Sequence, residues 1–125
     1  MKLDHLVILV SDLNASLPFY RTLMPLLGLP ERQSRQFAGE GISIDLKQAD
    51  DLSQGYSRYA PGLNHLGFVA ESLDQLQSIR SAMAAEGHPV PELQRFHDGH
   101  AVFFADPDGM RIEVGTVITG EIADG

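Results

Sequence analysis

The pattern of apolar and polar positions predicts a chain in which strands and helices alternate. Residues 2–10 are expected to form a strand with Leu6, Ile8 and Val10 on one face. Apolar and polar residues alternate from Met110 to Val114, the period of a half-buried strand, within a strand expected at 110–117. Further strands are expected at 31–38, where polar residues dominate, and at 42–47, 63–70, 92–97 and 100–105. A helix is expected after the first strand, running towards Gly28. A Ser72–Gln75 capping box and an apolar stripe at helical spacing predict a second helix that ends at Gly87.

The first helix carries two prolines that constrain where it begins and ends. Asp12 or Asn14 can supply its N-cap. Pro18 fits if the helix begins around residues 14–16, because only the first turn tolerates a missing N–H. Pro25 is expected to kink or end the helix.

Landmarks in the two halves of the chain follow the same order. Leu3-Asp4-His5-Leu6 matches Leu63-Asn64-His65-Leu66, 60 positions later. Each opening leads to a helix that ends at a glycine with a proline two residues on, and then to a strand whose acid lies four residues after a glycine. These acids are Asp45 and Glu113. The order indicates an internal repeat.

The repeat predicts an α+β fold, with two βαβββ repeats in a single domain of residues 1–125. Repeat one covers about 1–48, the Gly- and Pro-containing stretch 49–62 is the linker, and repeat two covers about 63–117. The strands are expected to form a curved mixed sheet, a cup or half-barrel, with the helices on its outer face. The tail from residue 120 to 125 is expected to fray.

Strand alternation puts four potential metal ligands on the face opposite the helices: His5, His65, Asp45 and Glu113. A carboxylate in the middle of a strand, as at Glu113, needs solvation, a partner or a metal. Two neutral imidazoles with one or two carboxylates suit a divalent first-row metal. For a single histidine or acid, ordinary exposure or pairing is the commoner explanation, and it is the repetition that favours ligands here.

Other polar residues near these strands have both a functional and a simpler explanation. Arg111 and Lys47 each lie two residues from one of the acids on the same face. They can meet an anionic substrate group or remain solvated at a rim. His97 and His100 bracket the turn dipeptide Asp98-Gly99, which favours solvated turn histidines, although either can reach the rim of the cup.

Composition excludes several classes of partner. The formal net charge of −8 argues against nucleic acid and anionic membranes. The sequence has no cysteine, so disulfides, thiolate nucleophiles and cysteine-ligated metals are excluded. The longest apolar run, residues 6–10, is too short for a signal segment or a membrane span. A cytoplasmic location is therefore expected.

These motifs resemble the vicinal oxygen chelate superfamily, which includes glyoxalase I, fosfomycin- and bleomycin-resistance proteins, methylmalonyl-CoA epimerase and extradiol dioxygenases. The resemblance covers nearly the whole chain. Its most specific marks are Asp-His-Leu near the N-terminus, Asp12-Leu13 with Phe19-Tyr20, the segment 64–68, and Asp106-Pro107-Asp108-Gly109 leading to Glu113. It implies that His5, His65 and Glu113 bind metal, with Asp45 at the position where four-ligand members usually have Glu.

The resemblance implies a metal-dependent lyase or isomerase that binds a small molecule through vicinal oxygens on one divalent ion, either Zn, Ni, Mn, Co or Fe. Glu113 and Asp45 are then the candidate catalytic residues, with Glu113 as both ligand and base, and Arg111 and Lys47 the candidate substrate-binding residues. The alternatives are a metal-free sequestering protein of bleomycin-resistance type, a metal-dependent dioxygenase or an antibiotic-modifying transferase. A homodimer is expected, because half-barrel units leave sheet edges and a cup mouth to be covered.

Overall fold

The computed structural model describes residues 1–116. These residues form eight strands and two helices, in the order β1 (His5–Val10), α1 (Leu13–Leu26), β2 (Glu31–Gln33), β3 (Gln36–Gly39), β4 (Ile42–Gln48), β5 (His65–Val69), α2 (Leu73–Ala85), β6 (Gln94–Phe96), β7 (Gly99–Ala105) and β8 (Arg111–Gly115). The chain divides into two compact units. Of the described residues, Met1–Tyr56 and Asp106–Asp108 form the first unit, and Ser57–Ala105 with residues 109–116 form the second.

The first unit is a four-stranded mixed sheet with α1 packed on it. The strand order is β1-β4-β3-β2, with β1 parallel to β4 and the other pairs antiparallel. Helix α1 contacts β2 and β4. Apolar side chains of the helix and of the strand face turned towards it are buried: Val10, Phe19, Tyr20, Leu23, Met24, Phe37, Ile44 and Leu46.

The second unit repeats this arrangement. Its strand order is β5-β8-β7-β6, with β5 parallel to β8 and the other pairs antiparallel. Helix α2 contacts β7. The buried apolar side chains again come from the helix and one face of the sheet: Leu76, Ile79, Met83, Val102, Phe104, Ile112 and Val114. The α+β fold of two βαβββ repeats is therefore confirmed, as two four-stranded sheets.

The two helices begin as their sequences predict, with differences in detail. Asp12 rather than Asn14 is the N-cap of α1, because the Asp12 carboxylate accepts the Asn14 N–H. Since α1 begins at Leu13, Pro18 lies in its second turn, so its expected place in the first turn was wrong. The helix ends at Leu26, one residue after Pro25, where a missing N–H costs only one hydrogen bond.

The second helix has the predicted Ser72 cap, whose hydroxyl accepts the Gln75 N–H. The Gln75 side chain reaches back to the Glu71 N–H, one residue before the cap. None of the helices in residues 1–116 is long and apolar enough to cross a membrane. Residue 117, the predicted end of the last strand, and the tail 120–125 lie outside the described residues.

Candidate functional site

Two of the predicted ligands, His65 and Glu113, lie in contact in the second unit. They stand on the adjacent parallel strands β5 and β8, where His65 is level with Arg111 and Gly67 is level with Glu113. His65 Nε2 is 3.0 Å from Glu113 Oε1, and the two side chains are 35% and 28% exposed. The contact therefore lies on a partly open face of the sheet, opposite the buried face formed by Ile112 and Val114.

Asn64 determines which nitrogen of His65 carries a proton. Its amide nitrogen donates to the Arg58 carbonyl oxygen at 2.9 Å, so its amide oxygen must be the atom that faces His65 Nδ1, at 2.6 Å. An amide oxygen only accepts hydrogen bonds. His65 Nδ1 is therefore the donor and carries a proton.

The second nitrogen of His65 consequently points its lone pair at the Glu113 carboxylate unless something lies between them. Two lone pairs 3.0 Å apart repel, so this contact requires either a shared proton or a cation. Both atoms suit a divalent metal. An imidazole nitrogen beside a carboxylate oxygen would hold a divalent first-row ion, so the pair fits a metal by donor type.

Glycines beside Glu113 leave room around its carboxylate. A Cβ added to Gly67 would lie 3.7 Å from Oε1. A Cβ added to Gly115 would lie 3.6 Å from Oε2, and nearer still to the His100 carbonyl oxygen, at 3.3 Å. Any larger side chain at these positions would extend into the space beside the carboxylate oxygens. Glycine at these positions leaves the Glu113 carboxylate accessible.

Arg111 lies on the same strand face and is held by an aromatic ring. Its guanidinium carbon is 4.4 Å from the centre of the Phe103 ring, a cation–π contact, and its Nε is buried without a hydrogen-bond partner among the described residues. Phe103 also meets the His65 ring edge-on, with ring centres 5.6 Å apart. A positive charge is thus kept close to the His65–Glu113 pair.

The first unit has an equivalent pair in the same register but with different contacts. His5 is level with Ser43 and Val7 is level with Asp45, which matches the offset between His65 and Glu113. The Asp45 carboxylate accepts the Ser43 hydroxyl at 2.7 Å. His5 Nδ1 lies 2.8 Å from the carboxylate of Asp4.

Of the remaining predicted residues, Lys47 and His97 are exposed and His100 is half-buried. Within residues 1–116, no three histidine or acidic side chains lie close enough together to hold a metal ion. Lys47 is exposed at the end of β4. The His97 side chain is 98% exposed beside Asp98, as expected of a turn histidine, and the backbone N–H of His100 donates to the Thr116 hydroxyl.

Residues Asp106–Asp108 of the Asp-Pro-Asp-Gly motif belong to the first unit. The Tyr20 hydroxyl donates to the buried carboxylate of Asp106 at 2.7 Å, and both the N–H and the hydroxyl of Ser11 donate to Asp108. Burial, followed by the charge and hydrogen bond of Asp106, raises the pKa of Tyr20 far above its ordinary value. Tyr20 is thus a neutral core donor, and the motif has a structural role.

Sequence reasoning missed three residues that shape the site: Asp4, Asn64 and Phe103. Asp4 and Asn64 occupy equivalent positions of the repeat, directly before each histidine. That match was a usable signal, because both side chains carry an oxygen that can accept from an imidazole. Phe103 gave no signal, since an aromatic residue in a strand is usually a core residue.

Known proteins match this chain along almost its whole length. The sequence profile of the Glyoxalase/Bleomycin resistance protein/Dioxygenase superfamily matches residues 2–114. The uncharacterized protein YqjT of Bacillus subtilis is 35% identical over 126 residues, covering 90% of this chain and 96% of that protein.

Two solved structures share the fold at lower identity. The fosfomycin resistance protein FosX of Listeria monocytogenes has a TM-score of 0.72 and 20% identity, with 97% of each chain covered. Lactoylglutathione lyase of Agrobacterium tumefaciens has a TM-score of 0.64 and 21% identity, with 92% of each chain covered. With the paired βαβββ units and the matched His and acid strands, the profile match shows that this chain belongs to the glyoxalase/bleomycin resistance protein/dioxygenase superfamily.

Proposed function

We propose that this protein is a metal-dependent glyoxalase-type enzyme, a lyase or isomerase, that acts on a small molecule chelated through two neighbouring oxygens. The observation that carries the proposal is the His65 Nε2–Glu113 Oε1 contact of 3.0 Å. With Nδ1 of His65 committed to Asn64, this contact leaves a lone pair and a carboxylate facing one position. A divalent cation satisfies both groups at once.

His65 and Glu113 form the pair in the second unit, and the repeat puts His5 and Asp45 at the equivalent positions of the first unit. These imidazoles and carboxylates permit Zn, Ni, Mn, Co or Fe, with one ion per chain. When bound, such an ion would act as a Lewis acid towards negative charge that develops on the substrate oxygens.

Each side chain near the pair has a distinct part in the proposed reaction. Glu113 is the base: its carboxylate takes a proton from one substrate carbon and returns it to the neighbouring carbon. Asn64 holds the His65 ring in place, and His65 would bind the metal ion through Nε2. Arg111, kept beside the pair by Phe103, attracts an anionic group of the substrate. Lys47 would do the same beside Asp45 from a more exposed position.

A homodimer in the cytoplasm completes the proposal. Strands β1 and β5 are edge strands of their sheets and carry exposed apolar side chains, with Leu9 61% and Val69 52% exposed. Edges of this kind are usually covered in the native assembly. A closed two-fold pair of chains is the commonest way to cover them.

The second candidate is a metal-free protein that sequesters a small apolar molecule. The exposed apolar side chains favour it, because Val7 and Leu9 share the strand face of His5 and Val69 shares that of His65. Such a protein would bind its ligand without the His and acid pairs. Metal dependence therefore separates the two candidates.

Metal titration by calorimetry tests the proposal. We expect about one divalent ion per chain, and a lower melting temperature after treatment with a chelator, since an ion bound only by the folded state stabilises it. His65→Ala should strongly reduce the affinity, and Glu113→Gln should weaken binding and abolish proton transfer.

Matched controls are available on the exposed surface. His97→Ala removes a fully exposed histidine, and Glu92→Gln removes an exposed charge; neither should change metal affinity. Wild-type affinity in both His65→Ala and Glu113→Gln would refute the metal site. A chain that takes up no metal and melts identically with chelator would favour the sequestering protein.

A further inference from the structure

We infer that Asp4 and Asn64 are positioning residues that fix the tautomer of His5 and His65, so that Nε2 of each ring is the atom left to bind. This inference rests on the proposed metal-binding function and adds the atom that each histidine uses. The two residues occupy the same place in the repeat, directly before their histidine, and each places an oxygen against Nδ1.

For His65 the assignment follows from a chain of three hydrogen-bonding groups. The Arg58 carbonyl can only accept, so the Asn64 nitrogen must face it and the Asn64 oxygen must face His65. His65 Nδ1 then has to donate. The opposite ring atom, Nε2, is the one that lies against Glu113.

For His5 a carboxylate leads to the same result. Asp4 Oδ2 lies 2.8 Å from His5 Nδ1, and an ionised carboxylate has no proton to give. In the neutral ring, Nδ1 of His5 therefore carries the proton as well, and Nε2 carries the lone pair. This contact is more solvent-exposed than that of His65, since the Asp4 and His5 side chains are 81% and 55% exposed.

In both histidines, the nitrogen that can bind a metal ion is therefore determined before any ligand is bound. An imidazole that donates one N–H to a neighbouring oxygen keeps the other nitrogen as a lone-pair donor, and such partners typically change metal affinity or activity by about 10–100-fold. Without its partner, His65 could instead donate Nε2–H to Glu113. In that arrangement His65 Nε2 and the Glu113 carboxylate would bind each other, and neither would be available to bind a metal ion.

The tautomers can be measured without metal by long-range ¹H–¹⁵N NMR of the imidazole nitrogens. At about pH 8.5 we expect Nδ1 of both rings to be protonated. In Asn64→Ala we expect His65 to change to the Nε2–H form. In Asp4→Ala we expect His5 to lose its preference for Nδ1–H.

Conservative variants of Asp4 and Asn64 distinguish a specific effect on the tautomer from a general loss of stability. Asp4→Asn and Asn64→Asp each retain an oxygen that can accept from Nδ1, so both should keep the wild-type tautomer. Asp50→Ala, which removes an exposed acid from the linker, is the charge control and should leave both rings unchanged. Nδ1 found unprotonated in either ring of the wild type would overturn the inference.

Metal affinity then gives a second readout. Zn²⁺ titrations should show a loss of about 10–100-fold in Asn64→Ala, a smaller loss in Asp4→Ala, and recovery in the conservative variants. Wild-type affinity in both alanine variants would overturn the inference while leaving the proposed function standing. If the wild type binds no metal but its Nδ1 atoms are protonated, the proposed function fails and the assignment of the tautomers stands.

Discussion

Replacing Tyr20 with Phe should destabilise the protein by an amount that depends on pH. The Tyr20 hydroxyl donates at 2.7 Å to Asp106, whose residue is only 5% exposed. Removing the hydroxyl takes away a hydrogen bond to a carboxylate in a buried setting, which costs about 1.5–3 kcal/mol of the free energy of unfolding. We expect this loss near pH 8, measured by urea denaturation.

The pH dependence follows from the raised pKa of Tyr20. In the unfolded chain this tyrosine ionises with a pKa of about 10, whereas in the folded protein it stays protonated. The stabilisation is therefore fully present below about pH 10 and is lost as the pH rises above it. At pH 11 the wild type should have lost about 1.4 kcal/mol that Tyr20→Phe cannot lose, so the difference between the two proteins should shrink by that amount.

Tyr59→Phe is the matched control, because the Tyr59 residue is 83% exposed. It should change the free energy of unfolding by no more than about 0.5 kcal/mol at either pH. An equal loss for Tyr20→Phe at pH 8 and pH 11 would refute the argument that the folded state keeps this hydroxyl protonated. A loss under about 0.5 kcal/mol at pH 8 would refute the stabilising role of the Asp106 contact.

Three further predictions concern the site, a helix cap and the assembly. Gly67→Val should crowd the Glu113 carboxylate and reduce Zn²⁺ affinity in calorimetry, whereas Gly67→Ala, whose Cβ would lie 3.7 Å from Oε1, should retain it; equal affinities would contradict the crowding. Ser72→Ala should lower the free energy of unfolding by about 1 kcal/mol in urea titrations, because the Gln75 N–H loses its acceptor; an unchanged midpoint would count against the cap. Size-exclusion chromatography with light scattering should give a dimer at micromolar concentration, and a clean monomer would exclude the proposed assembly.

The sequence by itself determined the elements and the faces on which the site residues stand. A two-residue apolar period places one set of side chains on the buried face of each sheet, so Ile112 and Val114 had to be opposite Glu113. The matched openings Asp4-His5 and Asn64-His65, with the glycines and acids that follow each in the same order, then predicted the repeated βαβββ topology. Both are local or periodic properties, so they can be identified from the sequence without knowledge of the contacts in the folded protein.

Only the tertiary structure decided which side chains touch. The strand register brings His65 Nε2 within reach of Glu113, while the shorter Asp45 side chain accepts a hydrogen bond from Ser43. The orientation of Asn64 depends on the Arg58 carbonyl, six residues away along a loop without regular structure. Contacts of this kind depend on distances of a few ångströms between separate segments. Period, composition and spacing along a single chain carry no information at that scale.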